Sequence, residues 1–164
     1  MGEVSGTAMT ERVLEVTLPF LPPSENKIRV HRWQGGQVYS KEAKDFKRMF
    51  LDYIRENYFL EVSSFAKGHS ETDMYELEIH FTFETVVNKG WYKKRAKNLY
   101  KRFDVGNRRK LIEDCLVEAL GSIDDSLFFR LVLTKRQGPK EQVTMVLRSA
   151  DPKYYGVLDV SRPE

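Results

Sequence analysis

Two hydrophobic periodicities divide the chain into strands and helices. Apolar and polar residues alternate over Met74–Phe83, which is the period of a half-buried strand. A first strand is predicted at Val13–Leu18, which is rich in strand-forming residues and is ended by Pro19. β-branched and aromatic residues predict two further strands, at 128–135 and 142–148. The segment 136–140 between these two strands contains Gly and Pro and is predicted to form a hairpin turn.

Apolar residues recur at helical spacing in two other segments. The first helix is predicted over 41–58 behind Ser40, a favourable N-cap, and the second over 107–120. Glu113 and Asp114, within the second helix, are predicted to face solvent. A polar loop is predicted between the first helix and the strand that follows it.

The resulting order, β-α-β-α-β-β, predicts a single α+β domain in which two helices pack on a mixed four-stranded sheet. A chain of 164 residues provides the material for one such domain. We assign residues 1–12 to a disordered N-terminus or a remnant of cloning, 13–149 to the domain and 150–164 to a C-terminal tail or dimer arm. Tyr154 and Tyr155 in that tail are candidates for a partner contact.

The composition is that of an ordinary globular protein, with 41% hydrophobic and 31% charged residues. The sequence has no run of 18 apolar residues, so no membrane span is predicted, and its first residues lack the features of a secretory signal. Cys115 is the single cysteine, which excludes an intrachain disulfide and a multi-cysteine zinc site. These features predict a cytoplasmic protein.

The net charge of +3 conceals a strong asymmetry. Residues 89–110 contain ten Lys and Arg against one acid, Asp104, whereas the rest of the chain has 17 bases and 23 acids. Such a basic block either binds phosphates or is simply solvated, and we favour nucleic acid. Trp91, Tyr92 and Tyr100 lie within the block, where they either stack on exposed bases or anchor a long loop in the core.

Candidate chemistry is concentrated around the second helix. Asp104 precedes the helix, Lys110 lies near its start, and Asp124 and Asp125 follow its end. Carboxylates are suitable ligands for Mg²⁺ or Mn²⁺ in phosphodiester hydrolysis, and a lysine can stabilise the charge that develops on the phosphate. Each element alone has a structural interpretation, because Asp before a helix is usually a cap and an Asp pair is usually a turn.

Taken together, these residues resemble a known family. The stretch DVGNRRK at 104–110, the helix after it and IDDS at 123–126 resemble the RusA family, the Holliday-junction-resolving endodeoxyribonucleases of bacteria and phages. The family pattern is Asp-x-Asp-Asn-x-x-Lys, a helix, then Asp-Asp. The segment TLPFLPPSENK at 17–27 is similar to the family's proline-rich opening, and the resemblance covers 14–147.

The resemblance implies that domain 13–149 is a metal-dependent nuclease that acts on branched DNA in recombination and repair. It places the catalytic residues at Asp104, Lys110 and Asp125. It further implies Mg²⁺ or Mn²⁺ held by Asp104 and Asp125 with Asp124 beside them, and a homodimer suited to a twofold junction. The basic residues predicted to contact DNA phosphates are Lys93, Lys94, Arg95, Lys97, Lys101, Arg102, Arg108 and Arg109.

The chain departs from the family pattern at Gly106, where the family has its second aspartate. In one account, Asp124, another acid such as Asp114, or a water supplies the missing oxygen and cleavage survives. In the other, the protein binds branched DNA but cleaves it poorly or not at all. We favour retained cleavage because the other three catalytic positions keep the family's residues.

The predicted helix raises a geometric question. Fourteen helical residues span about 21 Å, which places Asp104 and Asp125 at opposite ends. A shared site therefore requires that the loop after the helix folds back, that the helix is shorter, or that a second subunit completes the site.

Overall fold

The computed structural model describes residues 10–24 and 27–157, which form an α+β domain. In chain order the elements are β1 (Val13–Leu18), β2 (Arg29–His31), β3 (Gln37–Tyr39), α1 (Lys41–Asn57), α2 (Phe59–Lys67), β4 (Met74–Phe83), α3 (Val105–Leu120), β5 (Phe128–Gln137) and β6 (Gln142–Ala150). Two short 3₁₀ helices, Asp125–Leu127 and Pro152–Tyr155, precede β5 and follow β6. The predicted fold class is confirmed, with one helix and one small hairpin more than expected.

The main sheet has four strands in the order β1–β6–β4–β5. β6 runs antiparallel to both β1 and β4, whereas β4 and β5 are parallel, so the sheet is mixed as predicted. Alternate side chains of β1 are buried, and nearly all those of β4 are at least half-buried. β4 therefore lies inside the sheet, with a neighbour on each side.

The predicted hairpin between the last two strands is wrong. β5 and β6 are consecutive in sequence, but β4 lies between them in the sheet. Their connection crosses the end of β4, where the Gly138 amide donates to the Phe83 carbonyl at 3.0 Å. The physical reason is burial, because the strongly apolar β4 requires two partners, whereas the more exposed β5 can form an edge.

Two elements were not predicted. α2 occupies part of the expected polar loop and buries only Val62 and Phe65, too few apolar residues to show a helical period clearly. β2 and β3 form a separate two-stranded hairpin of three residue pairs, with Gly35 and Gly36 in its turn at φ values of 87° and 84°. Such short, exposed strands leave almost no alternating pattern in the sequence.

The core lies between the helices and the sheet. α1 begins behind Ser40, whose hydroxyl accepts from the Ala43 amide at 3.0 Å, as predicted. Its buried face contacts the apolar side of α3. The largest fully buried side chains include Phe50, Tyr75 and Phe81. In the part of the chain that the structure describes, no helix is long and apolar enough to span a membrane.

Two residues inside the predicted tails, Arg12 and Tyr155, make contacts with the domain. Arg12 belongs to the folded domain, where its guanidinium donates to the Phe65 carbonyl at 2.7 Å and pairs with Asp73 at 2.8 Å. Beyond β6, the Tyr155 ring lies 5.6 Å from that of Phe129 on the edge strand. Residues 1–9 and 158–164, the remainder of the two predicted tails, lie outside the described residues.

Candidate active site

Asp104 is the N-cap of α3. Its Oδ1 accepts from the amides of Gly106 at 2.8 Å and Asn107 at 3.4 Å, which satisfies two of the four amides that a helix start leaves without intrahelical partners. The expectation that an aspartate before a helix acts as its cap is therefore confirmed for Asp104. The same contacts hold the carboxylate at the positive end of the helix dipole, where negative charge is stabilised.

Lys110 lies about 9 Å farther along the helix axis than Asp104, since it follows Asp104 by six positions at about 1.5 Å each. Its Nζ is 2.6 Å from Asp125 Oδ2 and 3.0 Å from Asp114 Oδ1. The hydrogen bond to Asp125, followed by that to Asp114, raises the pKa of Lys110 above its ordinary value. The ammonium charge is therefore retained at any physiological pH.

The contact between Lys110 and Asp125 shows that the loop after α3 folds back, which is the first of the three options raised by the helix length. It concerns Lys110, and not the pair Asp104 and Asp125. α3 is even longer than predicted, yet the segment after Gly121 folds back along it and forms a 3₁₀ helix from Asp125 to Leu127. This return brings Asp125 to a residue 15 positions earlier in the same chain. No shorter helix and no second subunit are needed for the meeting of Lys110 and Asp125.

Tyr39, at the end of β3, was not foreseen as part of this site. Its hydroxyl donates to Asp114 Oδ2, the carboxylate that also pairs with Lys110. Burial, and secondarily the contact with Asp114, raises the pKa of Tyr39 to about 12, so that the hydroxyl stays protonated. Asp114 is therefore a bridge between the hairpin and α3, and not the solvent-facing charge that the sequence predicted.

Asp124 has a different position from its neighbour. Its side chain is exposed and accepts from the Ser126 amide at 2.9 Å, which caps the short 3₁₀ helix. These hydrogen bonds from Ser126 lower the pKa of Asp124. The turn interpretation of this acid is thus confirmed. Among residues 10–24 and 27–157, no three acidic, His or Cys side chains are arranged to hold a metal ion.

A cleft of about 460 Å³ separates the β2–β3 hairpin from the first turns of α3. Its lining includes Arg29, Tyr39, Gly106 and Lys110, so the position of the missing family aspartate faces this cleft. A Cβ added at Gly106 would lie 3.1 Å from Asp104 Oδ1, close enough that the cap must shift slightly. The absence of a side chain at this position therefore leaves the cleft open.

Two charged residues of α3 are buried, against expectation. Glu113 is only 6% exposed, and burial raises its pKa, because α3 is covered by helices as well as by the sheet. Arg108, predicted to contact DNA, is 9% exposed and donates to the Pro22 carbonyl at 3.3 Å. Its guanidinium carbon is 5.8 Å from the centroid of the Phe83 ring. Arg108 thus packs between the proline-rich segment and β4, and it does not face solvent.

The other basic residues lie on a long exposed loop between β4 and α3. An isolated bridge between Val87 and Tyr100 closes the loop, and the Asn88 side chain donates to the Asn98 carbonyl at 2.8 Å. Trp91, Tyr92 and Tyr100 are 43%, 80% and 63% exposed, so they are not core anchors. Of the cations predicted to contact DNA, Lys93, Lys94, Arg95, Lys97 and Arg102 are exposed on or next to this loop, as is Lys89, whereas Lys101 and Arg109 are partly buried.

The geometry defines a small α+β protein in which an acid–lysine cluster, formed by Lys110, Asp114 and Asp125, lies at one helix, beside a basic, aromatic loop. That combination is typical of proteins that act on nucleic-acid phosphates. The family model of endodeoxyribonuclease RusA matches residues 19–148, and the chain belongs to this family of nucleases. No curated protein matches the chain. The resemblance read from the sequence is therefore confirmed.

Proposed function

We propose that this protein is a divalent-metal-dependent endodeoxyribonuclease that resolves Holliday junctions or other branched DNA by phosphodiester hydrolysis, in recombination and repair. The observation that supports this most directly is that the carboxylates of Asp125 and Asp114 both contact Lys110. Lys110 lies on α3, the helix that Asp104 caps. The family match gives the reaction class. The cluster supports the assignment of that reaction to Lys110 and Asp125, with Asp104 at the start of the same helix.

The metal would be held by Asp104 and Asp125, with Asp124 beside them, as the resemblance implies. Carboxylate oxygens are the ligands that Mg²⁺ and Mn²⁺ prefer. Within residues 10–24 and 27–157, however, no three acidic, His or Cys side chains are arranged to hold an ion, so these residues do not form a complete metal site by themselves. The number of protein ligands is small, so waters and substrate phosphate oxygens would complete the coordination, as is usual for Mg²⁺. A bound ion supplies water activation and neutralises phosphate charge.

Lys110 would stabilise the negative charge that develops on the phosphate. Its raised pKa keeps the ammonium charged, and the two carboxylates hold it at a defined point. Asp104 would act from the start of α3, where the helix amides already favour an anion. Tyr39 would position Asp114 and, through it, Lys110.

DNA would be held by the basic loop before α3. Lys93, Lys94, Arg95 and Lys97 are exposed there and can contact phosphates without reading base sequence. Such contacts make the affinity depend on salt and allow the shape of the junction to decide recognition. We propose that two copies of the chain act together, since a twofold junction needs two cuts.

The direct test is incubation of the protein with a synthetic four-way junction and Mg²⁺ or Mn²⁺. We expect nicking that is lost in Asp104→Asn and Asp125→Asn. Asp104→Asn is informative because Asn caps helices as well as Asp does, so the variant removes the charge and keeps the fold. Nicking that persists undiminished in both variants would exclude these residues from catalysis.

A second candidate function is binding of branched DNA without efficient cleavage. The observation that favours it is Gly106 in the cleft, together with the pairing of both nearby carboxylates to Lys110. It predicts tight junction binding by the unaltered protein and no nicking with either metal. Any specific nicking by the unaltered protein eliminates it.

A further inference from the structure

The tip of the β2–β3 hairpin carries an aromatic side chain with no covering contact. Trp33 has a relative exposure of 103%, so its indole stands fully in solvent. A tryptophan is usually mostly buried, and one left in the open is more typical of a binding surface than of a fold.

Backbone hydrogen bonds fix the hairpin that carries Trp33 at both its turn and its base. In the turn, the Arg32 amide donates to the Gly36 carbonyl at 3.1 Å and the Gly35 amide donates to the Arg32 carbonyl at 3.0 Å. At the other end, the amide of the buried Ser40 donates to the carbonyl of the buried Ile28 at 2.8 Å. A rigid support lowers the entropy lost when a ligand is bound.

The charge around Trp33 is positive. Between Lys27 and Lys41 the chain has no acid, and Lys27, Arg29 and Arg32 are exposed. A surface that combines an open aromatic ring with several cations suits single-stranded or unstacked nucleic acid, in which bases stack on the ring and phosphates meet the cations. An acidic protein segment would contact only the cations, and an apolar segment would contact only the aromatic ring.

The hairpin is also connected to the proposed active site. Tyr39 at its base bonds to Asp114, and Arg29 and Tyr39 line the same cleft as Lys110. The three residue pairs of the hairpin span about 7 Å, at 3.4 Å per residue. A DNA strand with a base on Trp33 could therefore continue along the hairpin towards the cleft that Lys110 lines.

We propose that Trp33 stacks on an unpaired base at the branch point of the DNA and so selects branched over continuous duplex. This inference rests on the proposed function for its ligand class, but it concerns recognition and not cleavage. A continuous duplex exposes base faces only at its two ends, so the contribution of Trp33 should appear where stacking is interrupted within the DNA.

The test uses the full chain in EDTA, which separates binding from cleavage. The chain has two tryptophans, so Trp91→Phe leaves Trp33 as the only indole reporter. We expect a four-way junction and a single-stranded oligothymidine to quench Trp33 emission, and a linear duplex of the same arms not to do so. Trp33→Ala should weaken junction binding about tenfold, whereas Trp33→Phe retains most of it.

Gln34→Ala is the matched control, because Gln34 is exposed in the same turn and carries no ring. It should bind the junction like the unaltered protein, and all variants should bind the linear duplex equally. Equal junction binding by Trp33→Ala and the unaltered protein overturns the proposal, as does absence of quenching by both branched and single-stranded DNA. A change from dimer to monomer in Trp33→Ala with unchanged DNA binding also overturns it, in favour of a second copy of the chain. If the junction quenches Trp33 emission but is not nicked in Mg²⁺, the proposed nuclease activity is refuted and the proposed role of Trp33 in binding stands.

Discussion

Lys110 Nζ and Asp125 Oδ2 are 2.6 Å apart, although one residue lies in the second turn of α3 and the other beyond its far end. The contact exists because the chain reverses at Gly121, whose φ of 73° is favourable for glycine, and returns along the helix. This reversal assembles the acid–lysine cluster within one chain.

The first prediction concerns this ion pair. Lys110→Ala and Asp125→Asn should each lower single-turnover cleavage of a four-way junction by roughly 100-fold or more, since each removes a charge at the reacting phosphate. Unfolding free energy should change by at most about 1 kcal/mol, because the two side chains are about 40% exposed. Urea unfolding measures the second quantity.

Lys47→Ala provides the control for that experiment. Lys47, on α1, pairs with Glu118 on α3, the helix that also carries Lys110. The two side chains are about as exposed as those of Lys110 and Asp125, but neither lines the cleft. Lys47→Ala should leave cleavage unchanged. If it lowers cleavage as much as Lys110→Ala, the loss reflects α3 packing and not chemistry.

The second prediction concerns the missing family aspartate. Gly106→Asp should raise Mg²⁺-dependent cleavage about tenfold, because it restores a carboxylate next to Asp104 at a helix start that favours negative charge. Gly106→Ala adds the same Cβ, which must be accommodated 3.1 Å from Asp104 Oδ1, but adds no ligand. Equal rates for the two variants would show that the site does not use this position.

The third prediction concerns Tyr39. Tyr39→Phe removes the hydroxyl that orients Asp114 and should lower kcat roughly tenfold while KM stays the same. The lost hydrogen bond should also cost about 1 kcal/mol of unfolding free energy. Tyr53→Phe, whose ring packs 5.8 Å from Phe20, is the comparison, and a similar kcat loss there would argue for a general effect on the core.

The fourth prediction concerns the basic loop. Replacing Lys93 and Lys97 together by Ala should reduce the slope of log affinity against log salt by about 2, if each neutralises one phosphate. Fluorescence anisotropy of a labelled junction at several salt concentrations measures this slope. Lys44→Ala, on the exposed face of α1, should leave the slope unchanged. An unaltered slope in the double variant would exclude the loop from phosphate contact.

The fifth prediction concerns the buried thiol. Burial raises the pKa of Cys115 from 9.0 to about 12, so the folded protein should react with a thiol reagent at pH 8 only as fast as it unfolds. The folded state holds this proton more tightly than the unfolded state, so the associated stability is present below pH 9 and lost as the pH rises towards 12. The unaltered protein should therefore lose part of its advantage in unfolding free energy over Cys115→Ala as the pH rises from 9 towards 12. Urea unfolding of both proteins measures this difference. Rapid labelling of the native protein at pH 8 would contradict the burial.

The regular elements with a strong local pattern were predicted correctly. Both β1 and β4 were predicted at their observed bounds, β1 from its strand-forming residues before Pro19 and β4 from its period of two. α1 begins behind Ser40 as expected. The sequence missed α2 and the β2–β3 hairpin, because a helix with two buried residues and strands of three residues show no clear period.

The sequence alone predicted the α+β class, the strand at Met74–Phe83, the two long helices and, through a resemblance, the candidate acids and lysine. These follow from neighbours along the chain, whose spacing a sequence displays directly. Only the tertiary structure decided that β4 separates β5 from β6, that Arg108 and Glu113 are buried, and that Tyr39 joins Asp114. Those outcomes depend on which surfaces compete for burial, a property of the packed whole that no local pattern contains.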